Sequence, residues 1–406
     1  MLAFPTFAQQ TDKLLRDLLN RSPELFGPVL RQPGKYDVQI LYTQIHRNAQ
    51  NRPTFKTYRY RVDKNRYFYP ASTVKLPAVL LALEKLNQLR KPGLTRDTPM
   101  LTDSAYDQQT TVRRDTTSPD GLPSVAQYIK KILLASDNDA FNRLYEFIGQ
   151  CAFNEQLQAK GYPDLRIVHR LSLPLTAEQN RRTNPIRFVQ GSGNASDSVI
   201  YQQPMQVCDQ TFGPTAPIRR GIGYMQNGTL VKEPFDFTDK NYFALEDQQE
   251  MLKAVLFPEE VKAEKRFALT PDDYRFLYQY LSQLPRETTY PAYDSTHHDG
   301  DTKFFLFGDG KSPMPKNIRI FNKIGAAYGY LIDNAYIVDF ERGVEFMLSA
   351  VISCNPDGIY NDNRYEYSRV GYPFLANLGR VIYDYEVKRK RPRPSDLSQF
   401  RIKYDK

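Results

Sequence analysis

Apolar positions follow two rhythms along this chain. Near both ends they alternate with polar residues or run together in short stretches. In between they recur every three or four positions. "YDVQILYTQIHR" (Tyr36–Arg47) alternates and predicts a strand; "TFKTYRYRVD" (Thr54–Asp63) predicts a second, paired with it as an antiparallel hairpin. "IRIFNKIGAAYGYLIDNAYIVDFERGVEFMLSAVISCN" (Ile318–Asn355) gives three more strands in sequence, with bends or turns at Gly325, Gly329 and Arg342-Gly343. Helical spacing begins at Thr11–Leu19. It returns where Leu76, Val79, Leu80, Leu83 and Leu86 line one face, after start signals at Pro70 and Ser72, with Pro77 expected to bend the first turns. Ser124–Gly149 reads as two helices broken at Ser136-Asp137-Asn138. Thr270–Leu284 is a helix opened by a threonine and two aspartates, and Phe374–Val387 is a closing helix.

The remaining stretches are less periodic. Thr95–Pro123 reads as loop and Gln150–Arg187 as short helices with a long loop. Gly191–Glu259 reads as an irregular insertion. Strands at both ends with helices between them predict an α+β fold. Its antiparallel sheet is assembled from both chain ends and covered by terminal helices, with an inserted all-helical lobe. The expected divisions are an N-terminal remnant (1–9), an α/β lobe (10–70 with 300–386) and a helical lobe (71–299) holding the irregular region about 191–259. A basic tail (387–406) follows.

Composition narrows the function classes. The 406 residues are 41% apolar and 25% charged, which is ordinary globular composition. No run approaches the roughly 18 apolar residues of a membrane span. Part of the net charge of +9 sits in "VKRKRPRP" (Val387–Pro394), which has no interleaved aromatics and no nucleic-acid motif. It reads as a solvated tail, and nucleic acid is not an expected partner. Cys151, Cys208 and Cys354 are odd in number and match no zinc spacing; they leave the redox compartment undecided, with Cys354 expected to be buried. The opening "MLAFPTFAQQ" looks like the stump of a secretory signal and implies a periplasmic or otherwise exported protein. His297, His298, Asp299 and Asp301 are metal-capable residue types, but "THHDGDTKFF" reads as the exposed tip of a hairpin.

Candidate chemistry starts at Ser72 and Lys75, three residues apart and so on one helix face. A capping serine beside a solvated lysine is the plain reading. The chemical reading makes Ser72 a nucleophile at a helix start, where free amides and the dipole favour a developing oxyanion. A lysine pressed against an apolar wall has its charged form disfavoured and can serve as a base. Two further motifs follow in order: Ser136-Asp137-Asn138 in a helix-to-helix turn, and Lys323-Ile324-Gly325 on a strand. Ser192-Gly193-Asn194 and Lys91-Pro92-Gly93 also fit the last two patterns, but lack that context.

The ordered set S-x-x-K, S-D-N and K-x-G resembles the serine β-lactamase and D,D-peptidase superfamily, nearest to class A β-lactamase-like hydrolases. The resemblance covers roughly Gln10–Glu386, with a poor fit from Gly191 to about Glu259. It implies that Ser72 attacks a carbonyl carbon to form an acyl-enzyme, with Lys75 taking its proton or tuning the field. Ser136 would relay a proton to the leaving nitrogen, and Asn138 would hold Lys75 or the substrate amide. Lys323 would supply charge for the substrate carboxylate. The backbone amides of Ser72 and Ala326, beside Gly325, would form the oxyanion hole. No metal or organic cofactor is expected, and the protein is expected to act as a monomer on a small molecule or peptide.

Two departures bear on turnover. Ile324 stands where the family usually has a hydroxyl residue that contacts the substrate carboxylate. In "HRLSLPLTAEQNRRTNP" (His169–Pro185) the family's glutamate-to-asparagine spacing is absent. Glu178 is its only carboxylate, and pairing with Arg181 or Arg182 competes with a catalytic role. The expected function is therefore an exported serine hydrolase that forms an acyl-enzyme with a β-lactam or cell-wall-type peptide. The alternatives are a penicillin-binding or peptidase-like protein that deacylates slowly, and a non-catalytic binder of cell-wall fragments. The intact Ser72, Lys75, Ser136, Asn138 and Lys323 argue against the last.

Overall fold

The computed structural model describes residues 10–191 and 197–406. The expectation of a secretory stump at the N-terminus lies outside the described residues, as does Ser192-Gly193-Asn194. Five antiparallel strands form the main sheet, in the order Ile318–Ala327, Tyr330–Asp339, Val344–Ser353, Gln39–Arg47, Pro53–Tyr60. The two N-terminal strands thus extend a sheet begun by the three C-terminal ones, as the two rhythms in the sequence imply. The three central strands are buried along their length, apart from a half-buried His46, because each face of the sheet has its own apolar layer. Ile320, Ile337, Phe346 and Leu348 pack with Leu15, Leu18, Phe374, Leu378 and Ile382 of the terminal helices. The neighbouring Phe321, Tyr336 and Met347 point the other way and join the core of the inserted lobe, as side-chain alternation requires.

That lobe is built on helices Lys75–Leu89, Val125–Ala135, Asn138–Ile148, Gln150–Ala159, Leu245–Leu256 and Pro271–Ser282. It also carries a small sheet of Met100–Thr102, Ile186–Gln190 and Ser198–Gln203. The stretch read as irregular contains a hairpin, Gly223–Gln226 with Thr229–Val231, and the helix Leu245–Leu256. The helix escaped a reading by apolar period because two of its core positions are glutamines. Gln248 donates to the Phe243 carbonyl at 2.9 Å. Gln249 donates to Ser349 Oγ at 2.9 Å and accepts from Thr43 Oγ1 at 2.6 Å, so hydrogen-bonded amides take places on a buried face that apolar side chains would otherwise fill.

Three other expectations change. The basic tail is not simply solvated: Leu397 and Phe400 are buried in the lobe core, with Phe400 against Tyr336 at 4.9 Å. Arg389 binds the buried Glu386 at 2.9 Å, and Arg391 binds the same carboxylate. Charge dominated the composition there, but two apolar anchors decide where the chain goes. The His297–Asp301 turn is exposed at His297 and Asp301, as expected of a tip, but Asp299 is buried, pairs with Arg286 Nε at 3.0 Å and accepts from the Met314 amide at 2.8 Å. Finally, Cys151 and Cys208 form a disulfide, joining the helix Gln150–Ala159 to the insertion, while Cys354 is free and buried.

Candidate active site

The chain enters the serine helix through a left-handed Ala71 (φ 48°) and one 3-10 turn, Ala71–Val74, closed by Thr73 Oγ1 donating to the Pro70 carbonyl at 2.7 Å. The α-helix starts at Lys75, one turn later than expected, and Ser72 does not cap it. Pro77 therefore falls in the first α-turn, where its missing amide has no intrahelical partner to lose. Lys75 through Glu84 are all buried, so the helix runs through the core and not along its surface.

Ser136, left-handed at φ 57°, and Asp137, whose side chain accepts from the Ala140 amide at 2.7 Å, form the tight link between the helices Val125–Ala135 and Asn138–Ile148. This link aims three acceptors at one ammonium. Lys75 Nζ donates to the Ser136 carbonyl, to Ser136 Oγ at 3.2 Å and to Asn138 Oδ1 at 2.7 Å. From the strand Ile318–Ala327, Lys323 Nζ donates to the same Ser136 Oγ at 2.8 Å and to the Ile324 carbonyl at 2.9 Å. One hydroxyl thus stands between two buried lysines.

Burial pushes the Lys75 pKa down to about 7, with Asp137 opposing the shift. Lys323 is held well below the ordinary lysine value, first by burial and then by the charge of Lys75, with Asp333 opposing. Near neutral pH, Lys75 is poised to exchange a proton.

Gly325 lets the strand meet the serine turn. A Cβ at that position would lie 2.9 Å from the Pro70 carbonyl oxygen and 3.2 Å from the Ser72 amide nitrogen. Ala326, next along, is exposed on the rim of a cavity of about 430 Å³ that Ser72, Asn138, Ser172, Lys240 and Tyr328 also line. Ile324 is buried among the apolar side chains of the terminal-helix face. Its side chain belongs to the layer behind the sheet, so the loss of a hydroxyl there is a packing matter in this chain.

Ser72, Lys75, Ser136, Asn138, Lys323, Gly325 and Ala326 are thus brought together, and Glu178 is not. Glu178 sits on the short helix Ala177–Arg181, half exposed, and accepts from Arg182 Nε at 2.9 Å. Among the described residues no carboxylate lines the Ser72 cavity. The loop instead meets the site through Ser172, whose Oγ accepts from Asn138 Nδ2 at 2.8 Å. Nothing in the spacing of "HRLSLPL" distinguishes Ser172 from a loop serine. Lys240 was missed because nothing in "FTDKNY" marks it. Among the described residues no three His, Cys, Asp or Glu side chains cluster as for a metal.

A family model described as the beta-lactamase enzyme family matches residues 31–385. The chain belongs to the beta-lactamase enzyme family. It is a β-lactamase-like serine hydrolase with the antiparallel sheet and inserted helical lobe of that class. A beta-lactamase from Sphaerobacter thermophilus is similar at 12% identity, covering 92% of this chain and 98% of its own, with a TM-score of 0.50. PBP-A matches at 16% identity over 92% of this chain and 97% of its own, TM-score 0.49. A beta lactamase from Xanthomonas campestris pv. campestris matches at 14% over 92% and 99%, TM-score 0.48. No curated protein matches the sequence.

Proposed function

We propose that this β-lactamase-family hydrolase is exported, forms an acyl-enzyme at Ser72 with a β-lactam or cell-wall-type peptide, and releases it slowly. The observation that carries the reading is the contrast within one cleft: Lys75, Ser136, Asn138 and Lys323 are joined by hydrogen bonds beside the Ser72 turn, while among the described residues no carboxylate lines the cavity. Ser72 Oγ attacks the carbonyl carbon and its proton passes to neutral Lys75 Nζ. The carbonyl oxygen gains the charge and is held by the amides of Ser72 and Ala326. The C–N bond then breaks as Ser136, resupplied from Lys75, gives a proton to the departing nitrogen. Lys323 keeps that hydroxyl oriented and attracts a substrate carboxylate.

Hydrolysis of the resulting ester needs a base within hydrogen-bond reach of a water. Glu178 is engaged by Arg182 at the surface, and the loop presents only a hydroxyl beside Asn138. The Cys151–Cys208 disulfide supports an oxidising, extracytoplasmic compartment. No described helix is long and apolar enough to cross a membrane. The protein acts as a monomer on a small molecule or peptide, without nucleic acid as a partner.

Intact-mass measurement after mixing with benzylpenicillin, followed over time, tests this reading. A lasting adduct of the penicillin's mass that Ser72→Ala lacks is expected. No adduct, or one retained by Ser72→Ala, overturns Ser72 as the nucleophile. An adduct that clears rapidly would make this a working β-lactamase.

A further inference from the structure

Ser136 and Lys323 mark one side of Ser72, and a proton delivered by Ser136 draws the leaving nitrogen to that side. Neither residue lines the cavity of about 430 Å³. Tyr69, Ser172, Lys240 and Tyr328 do line it, together with Ser72 and Asn138, and it is therefore placed to receive the acyl part that stays on Ser72. Tyr69 and Tyr328 meet edge to face at 4.9 Å and form an aromatic wall, and Tyr69 stacks on His169 at 6.1 Å.

The charges in this cavity are unbalanced. Its two cationic residues are Arg170 and Lys240. Arg170 is buried and committed to Glu146 at 2.9 Å. Lys240 is half-buried. Its carbonyl accepts from Arg166 Nε at 3.2 Å, but its ammonium makes no hydrogen bond or ion pair among the described residues. Asp239, the neighbour in sequence, is exposed and attracts it only at a distance. His169 Nδ1 pairs with the Arg170 carbonyl at 2.7 Å, leaving Nε2 buried without a partner. Burial and the nearby Lys240 hold His169 neutral, with a pKa of about 4. A half-desolvated ammonium in the lining of a cavity that holds no acid among the described residues favours an anion there.

We propose that Lys240 is a specificity residue that receives a carboxylate carried on the acyl part of the substrate. The preferred substrate is then an acidic acyl donor, such as a peptide with a free side-chain carboxylate on the carbonyl side of the scissile bond. This inference rests on the acyl-enzyme reading above.

The test compares second-order acylation rates, read by intact mass, for three penicillins with the same nucleus. Benzylpenicillin has an uncharged side chain, carbenicillin a carboxylate close to the ring, and adipyl penicillin one on a longer arm. At least one anionic probe should acylate the wild type about tenfold faster than benzylpenicillin, as one charge-assisted hydrogen bond allows. The rate ratio should fall towards one in Lys240→Gln, invert in Lys240→Glu and persist in Lys240→Arg. A wild type with no preference for either anionic probe overturns the proposal, as does a preference that survives in Lys240→Gln and Lys240→Glu. If no probe acylates the wild type, the acyl-enzyme reading itself fails and takes this inference with it.

Discussion

Two walls of the Ser72 cleft face the same serine and are built on different principles. The wall of Lys75, Ser136 and Lys323 concentrates cations: two buried lysines share one hydroxyl, the pKa of each is depressed by burial, and that of Lys323 is depressed further by the charge of Lys75. The opposite wall, the loop after Ile167, is held by amides and one ion-pair network. Asn241 Oδ1 accepts from the Val168 amide at 2.8 Å, and Asn142 Oδ1 accepts from that of Leu171 at 2.8 Å. The Asn180 side chain accepts from the Arg170 amide at 2.9 Å. Beneath them Glu146 is buried between Arg143 and Arg170, each at 2.9 Å. The first wall stores chemical reactivity in strained protonation states. The second spends its polar groups on holding shape and turns its one carboxylate to solvent. A loop can thus be held firmly without carrying a deacylating acid.

The largest effect that would break this comparison lies in the lysine wall. Lys75→Ala should slow acylation by a factor of order 10² or more while the far-ultraviolet circular dichroism stays native. An unchanged rate would reduce Lys75 to a structural donor for the Ser136 turn, and the two walls would no longer differ in kind.

The next effect is on the loop wall and reads out in stability. Arg170→Met leaves Glu146 buried with Arg143 alone, and removing one partner of a buried ion pair costs about 3 kcal/mol. The urea midpoint should fall accordingly, with far less loss of acylation rate than Lys75→Ala shows. A midpoint close to that of the wild type would mean that the amides hold the loop without the ion pair.

The pH dependence of acylation separates the walls again. With a folded pKa of about 7, Lys75 is an ammonium below that pH and cannot take the Ser72 proton. The acylation rate should fall about tenfold per pH unit below about 7 and level off above it. The same depression has a stability sign. Below about 7 the folded state carries the cost of burying a charge. That cost is relieved as pH rises from about 7 towards the ordinary lysine value, because there the unfolded chain binds more protons. Stopped-flow acylation from about pH 5 to 8 checks the rate, and the slope should vanish in Lys75→Ala. A flat wild-type profile would remove Lys75 as the base.

The walls also differed in how legible they were. The motif residues could be read because each sits at an element boundary with its own local signature: a proline before a buried helix, a polar break between two apolar periods, a glycine in a strand. The strands and terminal helices were legible for the same reason, one period each. The loop wall was opaque because its structure comes from side chains distant in sequence, such as Asn241 reaching Val168, and amides have no periodic signature. The helix Leu245–Leu256 stayed hidden behind Gln248 and Gln249. The Cys151–Cys208 pair spans 57 residues with no spacing rule to reveal it. Phe400 was masked by the charges that precede it.

The smallest expected effect is the sharpest test of the loop. Glu178 is the only carboxylate of His169–Pro185, so any deacylation that depends on an acid of that loop must pass through it. Its Oε1 is held by Arg182, at i and i+4 of a solvent-facing turn. An exposed pair of this kind contributes little to stability, so losing it should barely move the unfolding midpoint. For Glu178 to act as a base, that pair must break and the carboxylate must reach a cavity it does not line. Steady-state hydrolysis of a chromogenic cephalosporin should therefore be slow in the wild type and unchanged in Glu178→Gln. Fast turnover that disappears in Glu178→Gln would show that the loop swings to deliver its acid. The two walls would then cooperate in one hydrolytic cycle, and slow release would be the wrong reading. Slow turnover indifferent to the substitution leaves Glu178 as a surface partner of Arg182, and places the limit on release in a wall that offers Ser72 a hydroxyl and no base.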